Sequence, residues 1–142
     1  MPKYLPHGTQ FSINAIPVGG LVTVSLPDRS KGEAEATDTD SGGDREFIPG
    51  LRDPGSIELT FKHVADDPGQ MELESNYDII GNEAIVECII TLPEEATTAS
   101  GRRTYTFDGF VSTPPNGELA LADDETAELS ATIRVTGPVG IA

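Results

Sequence analysis

Tryptophan is absent from this chain of 142 residues, cysteine occurs once, histidine twice, and only nine lysines and arginines stand against 24 aspartates and glutamates. Each shortage closes off a class of protein. A lone Cys88 cannot form an intrachain disulfide, so nothing marks a small secreted scaffold held by cystines. No apolar run approaches the roughly 20 residues of a membrane-spanning helix. The opening MPKYLPHGTQ carries neither the basic region nor the apolar stretch of a signal peptide. The expectation is a soluble protein kept in a reducing compartment, without membrane insertion. A formal net charge of -15 speaks against affinity for nucleic acid, because duplex binders gain most of their affinity by replacing phosphate counterions with Lys and Arg. This chain should repel DNA.

Reactive groups are as sparse as cations. His7 lies ahead of the first strand and His63 at the end of another, and neither belongs to a catalytic pattern. No nucleophile elbow and no glycine-rich phosphate loop occurs. Cys88 falls on the apolar face of a strand, where a small buried side chain is the expectation. The run from Asp38 to Asp44, DTDSGGD, has the opening of a calcium loop but lacks a ligand at its fifth position and has Pro49 where a bidentate Glu belongs. Glu94 and Glu95, and Asp123, Asp124 and Glu125, read as solvated loop edges. No catalytic residue, cofactor or metal site is expected, and the chain is not read as an enzyme.

What is present is β patterning. With 37% hydrophobic residues and the length of one domain, the chain can bury a core. Ile57, Leu59 and Phe61 alternate with Ser56, Glu58, Thr60 and Lys62, as a half-buried strand requires. Val22, Val24 and Leu26 alternate in the same way. Val86, Cys88, Ile90 and Leu92 oppose Ile85, Glu87, Ile89 and Thr91, which are apolar enough to place this strand inside a sheet. Tyr105, Phe107 and Val111 form another apolar face. The most regular strand covers residues 126–136, with Ala127, Leu129, Ala131, Ile133 and Val135 on one side. Pro17, Gly19 and Gly20 separate 11–16 from 21–26 and predict an early hairpin, and Asn116-Gly117 predicts a turn into a short strand at 118–121. Asp67 as N-cap, Pro68 at the first helical position and Gln70 three residues after the cap predict one short helix over 68–77, anchored by Met71 and Tyr77. The fold class is mainly β, an antiparallel sandwich or barrel with one short helix and a long acidic loop.

Two segments fit poorly into a compact sandwich. An amino-terminal arm, 1–10, carries Tyr4 and Leu5 with no evident place in a core. The stretch 27–44 is too polar to bury and too long for an economical connection, and a long loop without structure is usually functional or disordered. Directly after it comes DREFIPGLRDPGSIEL, in which Pro49-Gly50 and Pro54-Gly55 each predict a type II turn. Phe47, Ile48 and Leu51 are too apolar for a solvated bend, so they must pack on the protein's own core or on a neighbour.

Taken together, IPVGGLVTVSLP, the acidic loop, REFIPGLRDPGSIELTF, a helix opening DDPGQ and a closing ELSATIRVTG resemble the major tail tube proteins of long-tailed bacteriophages. The likeness extends from about Phe11 to Gly137, and FIPGLRDPGSIEL is its most specific part. It implies an arm at 1–10, a tail-tube β-sandwich at 11–137 with its long loop at 28–46, and a tail at 138–142. It implies further that copies assemble into hexameric rings stacked as a tail tube, a component of the virion assembled in the host cytoplasm. The partners so implied are other copies, the tape measure protein, the tail terminator and distal tail or baseplate proteins, with DNA passing through unbound. Expected assembly contacts are Tyr4, Leu5, Asp28, Arg29, Lys31, Asp44, Arg45, Glu46, Phe47, Ile48, Leu51 and Arg52. Expected lumen residues are Glu58, Glu87, Asp108 and Glu128, on the less apolar strand faces. The alternative is a monomeric β-sandwich binding module for carbohydrate or adhesion, which the scarcity of aromatic side chains disfavours.

Overall fold

A computed structural model describes residues 3–98, 101–122 and 126–142. The chain begins with β1 (Gln10–Ile13), β2 (Ile16–Pro17), β3 (Leu21–Val24), β4 (Ser30–Glu35), β5 (Phe47–Asp53) and β6 (Ser56–Lys62). The helix α1 (Pro68–Asp78) and a 3-10 turn at Asn82–Ala84 follow, then β7 (Val86–Thr91), β8 (Thr97–Thr98), β9 (Gly101–Arg102), β10 (Thr104–Asn116) and β11 (Glu128–Ile141). Seven of these strands form one antiparallel sheet in the order β2-β1-β7-β10-β11-β6-β3.

Alternation decides which face is buried. Successive side chains of a strand point to opposite sides, and the register aligns the apolar sets: Cys88 lies opposite Phe107, Val111 opposite Ile133 and Ala131 opposite Leu59. Phe11 and Ile13 of β1 join the same cluster as Ile57, Leu59 and Phe61 of β6, with Leu21 and Val24 of β3 packed against it. Strands near both edges therefore share one core, so the sheet curls around its apolar face. Leu73 of α1 closes that core from above, and the helix packs against β10, β1 and β2.

The helix starts as its sequence requires. Asp67 accepts a hydrogen bond from the Gln70 backbone N–H through Oδ2 (3.0 Å), and the same oxygen accepts from Gly19 N–H (3.1 Å). The Gln70 side chain does not return to the cap. Its Nε2 donates to the carbonyls of Gly19 and Lys62, and its Oε1 accepts from Val64 N–H. Gly69 sits so close to Pro17 and Val18 that a Cβ would collide with their backbone. The anchors expected from sequence, Met71 and Tyr77, are exposed instead, because Leu73, Asn76, Gly69 and Gln70 occupy the buried side.

Other expectations need correction. The early hairpin does not form between 11–16 and 21–26. Asn14 (φ 52°) and Ala15 (φ 65°) make a two-residue turn that pairs β1 with β2, while β3 pairs with β6 at the far edge. In β3 the inward residues are Leu21 and Val24, not Val22 and Leu26. A bulge sets Leu21 opposite Phe61 and Thr23 opposite Thr60, so the extra residue changes which side faces in. Pro49-Gly50 is not a turn but part of β5, and of the two glycines only Gly55 has positive φ (78°). The segment 28–46 is not simply a loop: β4 pairs with β5 in a two-stranded hairpin with its tip at 37–46. Asn116 ends β10 without opening a further strand at 118–121, and β11 runs to Ile141 through the expected tail at 138–142. Asp123, Asp124 and Glu125, along with Met1 and Pro2 of the arm, lie outside the described residues.

Candidate assembly and conduit surfaces

The β4–β5 hairpin leaves the sheet from a braced root. Asp28 Oδ1 accepts from Ser56 N–H (2.8 Å), and Asp53 Oδ1 accepts from Gly55 N–H (2.9 Å) and from Arg134 Nη2 (3.0 Å). Gly55 is required between them: its positive φ favours glycine, and a Cβ there would collide with Asp28. Asp28, expected as an assembly contact, also braces its own chain through this bond and remains exposed. Beyond the root, Lys31 lies opposite Arg52, Ala34 opposite Ile48 and Glu35 opposite Phe47. At the tip, Asp38 Oδ1 accepts from Asp40 N–H (2.9 Å), and Thr37 Oγ1 accepts from Glu46 N–H (2.9 Å). Asp44, Arg45 and Glu46 are exposed there, as is Arg29 just before β4.

No residue of either hairpin strand is buried. Phe47, Ile48 and Leu51 are 49%, 58% and 91% exposed, so their apolar surface is not covered by the protein's own core. An isolated two-stranded hairpin is marginal in water, and this one leaves its large apolar side chains open to solvent. Tyr4 and Leu5 of the arm are likewise exposed but lie on a different segment of the chain.

A second surface is the sheet face opposite the core. Glu58, Glu87, Asp108 and Glu128 all fall on it, one on each of β6, β7, β10 and β11. Glu87 lies directly opposite Asp108, and Glu58 opposite Thr132. Between them run hydroxyl side chains, including Thr60 opposite Ser130 and Thr91 opposite Thr104. Charge is not uniform over this face, since Lys62 Nζ lies 3.0 Å from Glu128 Oε2. Such a half-exposed pair contributes at most about 1 kcal/mol, yet it cancels the Glu128 charge locally.

Sequence reasoning missed the features that hold these surfaces in place. Asn76 is buried, its Nδ2 donating to Ala84 C=O (2.8 Å) and its Oδ1 accepting from Val111 N–H (2.8 Å). β7 reaches along β10 only to the Val86–Gly109 pair, so the amide serves the next N–H in place of a strand. Polar residues in a helix carry no signal for such a role. Cys88, fully buried, has its thiol pushed up to about 12, first by burial and then by the nearby Asp108 and Glu87 carboxylates. A thiol held protonated is a poor nucleophile. Among the described residues no group of three or more His, Cys, Asp or Glu could hold a metal ion, and no helix is long and apolar enough to cross a membrane.

No known family matches this sequence, and no curated protein does. Solved structures match it over its whole length. A chain of the sheath/tube terminator of an extracellular contractile injection system, PVC, in its extended state is 16% identical, with 100% of this chain and 98% of that chain covered at a TM-score of 0.74. A chain of the PVC sheath-tube complex is 18% identical over 99% and 91% of the two chains, TM-score 0.71. A chain of the anti-feeding prophage cap, a tube-terminating cap, is 17% identical over 100% and 93%, TM-score 0.70. The protein therefore has the fold of components of phage-tail-like contractile injection systems. It is a mainly β fold.

Proposed function

We propose that the protein is a structural subunit of a phage-tail-like tube, in which copies close into hexameric rings and the rings stack. The observation that carries this reading is the uncovered hairpin: an end-to-end tube-type fold that projects two strands with Phe47, Ile48 and Leu51 bare. Ring closure and stacking use heterologous contacts, in which different patches of identical copies meet. The hairpin, with Arg29, Lys31, Asp44, Arg45, Glu46 and Arg52, supplies contacts between rings, and Tyr4 and Leu5 of the arm supply others. In the assembled particle a terminator, a distal or baseplate protein and a tape measure protein would meet the same subunit.

The face bearing Glu58, Glu87, Asp108 and Glu128 lines the conduit in this reading. This wall of hydroxyls and carboxylates carries few cations, Lys62 paired with Glu128 and Arg134 with Asp53, and so offers little to exchange for phosphate counterions; DNA on its way into a host would pass without adhering. The role is passive, resting on geometry and charge rather than on a reaction. Hydrogen exchange tests the assembly contact. Amides of 28–46 should gain at least about tenfold protection in tubes relative to monomer, as expected for backbone covered on association. Equal protection in both states would remove the hairpin from the interface.

A further inference from the structure

β2 pairs with β1 at one edge of the sheet and β3 with β6 at the other, yet only residues 18–20 separate β2 from the start of β3. Within that link the Val18 N–H donates to the Phe11 carbonyl (3.0 Å) and the Gly20 carbonyl accepts from the Lys62 N–H (2.7 Å), so the two edges are tied together at one end. Away from the link they part. A groove of about 330 Å³ opens there between residues 6–9, just ahead of β1, and the strand β3. The curled sheet is thus a barrel with an unfilled seam, and the outer edge of β3 pairs with no strand among the described residues.

The same edge is the one its own side chains protect least. Free strand edges invite pairing with another chain, and proteins blunt them with proline, charge or short length. β2 has Pro17, β4 has Lys31, Glu33 and Glu35, and β5 has Pro49. The far part of β10 has Pro114 and Pro115, that of β11 has Pro138, and β8 and β9 are two residues each. β3 reads LVTV, with Val22 49% exposed, and has neither proline nor charge. Such an edge takes an extended segment whose main chain supplies the hydrogen bonds.

Charge selects the segment. All 24 carboxylates lie from Asp28 onward, so the first 27 residues, from which the seam is built, carry Lys3 as their one charged side chain with His7 neutral. In a chain of net charge -15 a second copy can approach here without carboxylate meeting carboxylate. Leu26, Val64, Ile79, Ile80, Ile85, Leu119 and Leu121 are exposed outside strands and helices, but each lies within two residues of an aspartate or glutamate. Tyr4 and Leu5, 41% and 80% exposed, have Lys3 beside them and no carboxylate near in sequence. Pro6 holds Leu5 extended. Neither Tyr4 nor Leu5 lines the seam of its own chain. The chain turns at 6–9 instead, where the Thr9 N–H and hydroxyl both donate to the Pro6 carbonyl (3.2 and 2.7 Å) and Gly8 has φ 98°.

We propose that the arm segment 3–5 of one copy enters the seam of a second copy and adds there as a strand to the free edge of β3, covering Tyr4, Leu5 and Val22. Arm and seam are different patches, so the contact is heterologous and links copies head to tail. The proposal rests on the self-assembling role above and names the surface on which the arm acts.

The test uses the full chain. L5C with V22C, oxidised at a concentration where the wild type associates, should give covalent dimers and larger multimers on a non-reducing gel, with the native Cys88 buried and silent. V22K, which puts a charge on the edge, and Y4D/L5D, which puts carboxylates on the arm, should each raise the concentration needed for association about tenfold or more. Circular dichroism checks that each variant is folded, and if one is not, the cross-link decides alone. A disulfide formed only within single chains, association without the cross-link, or either folded charge variant associating like the wild type overturns the arm exchange and leaves the tube reading standing. A wild type that stays monomeric at every concentration overturns both.

Discussion

Asn76 bridges two backbone groups, the Ala84 carbonyl and the Val111 N–H. Replacing it with alanine leaves the Val111 N–H and the Ala84 carbonyl buried without partners, and each orphaned group costs about 1–3 kcal/mol. N76A should therefore lose about 2–6 kcal/mol in urea unfolding, far more than E72A on the same helix. Ala15 has the opposite problem. Its φ of 65° is strained for any residue with a Cβ, and A15G should raise stability by about 0.5–1 kcal/mol in the same assay. Cys88 sets a pH dependence. Its folded value near 12 lies above the ordinary 9.0, so between those values the unfolded chain has released the proton that the folded chain still holds. This contribution to stability is intact below about pH 9 and declines as pH rises, with a slope of at most about 1.4 kcal/mol per pH unit. Urea melts of wild type and C88A across pH 8–11 check this, the wild type falling more steeply.

At the scale of elements, the core strands were legible and the two strands of the projecting hairpin were not. β6, β7 and β11 declare themselves because one face is buried and the period of two shows in the residue types. β4 and β5 bury neither face, so SKGEAE and FIPGLRD carry no such pattern and read as loop and turns. The cap of α1 could be read from Asp67 and Pro68, but its buried side could not, because Gln70 and Asn76 are polar residues inside for their hydrogen bonds. A bulge in β3 was equally silent. Phe47, Ile48 and Leu51 stood out in the sequence as too apolar for a solvated bend, and the structure leaves them exposed. Position in the fold decides the rest: four acids spaced through the chain share one face only because of the strand order. The first turn of α1, DPGQ at 67–70, offers a further check. G69A would place its methyl against the Pro17 backbone, and such overpacking costs about 1–3 kcal/mol, read as a lower urea midpoint with an unchanged slope.

For the whole molecule, charge and assembly pull against each other. Copies of net charge -15 repel, so association must bring opposite signs together locally. Four of the nine cations, Arg29, Lys31, Arg45 and Arg52, lie within or beside the hairpin, where they would face a neighbour. In the proposed tube the acidic sheet face is left for the conduit. Tubes of the combined variant E58K/E87K/D108K/E128K should still form, because those side chains contribute nothing to the core, but should retain DNA and slow its passage in a salt-dependent way. Unchanged ejection with reversed charge would remove lumen electrostatics from the account. The fold is shared with chains only 16–18% identical, so the backbone geometry persists where side chains do not. Negative-stain electron microscopy of the concentrated 15.0 kDa protein tests the central claim most directly: the account predicts hollow tubes or stacked rings, and a field of dispersed monomers at every concentration would contradict it.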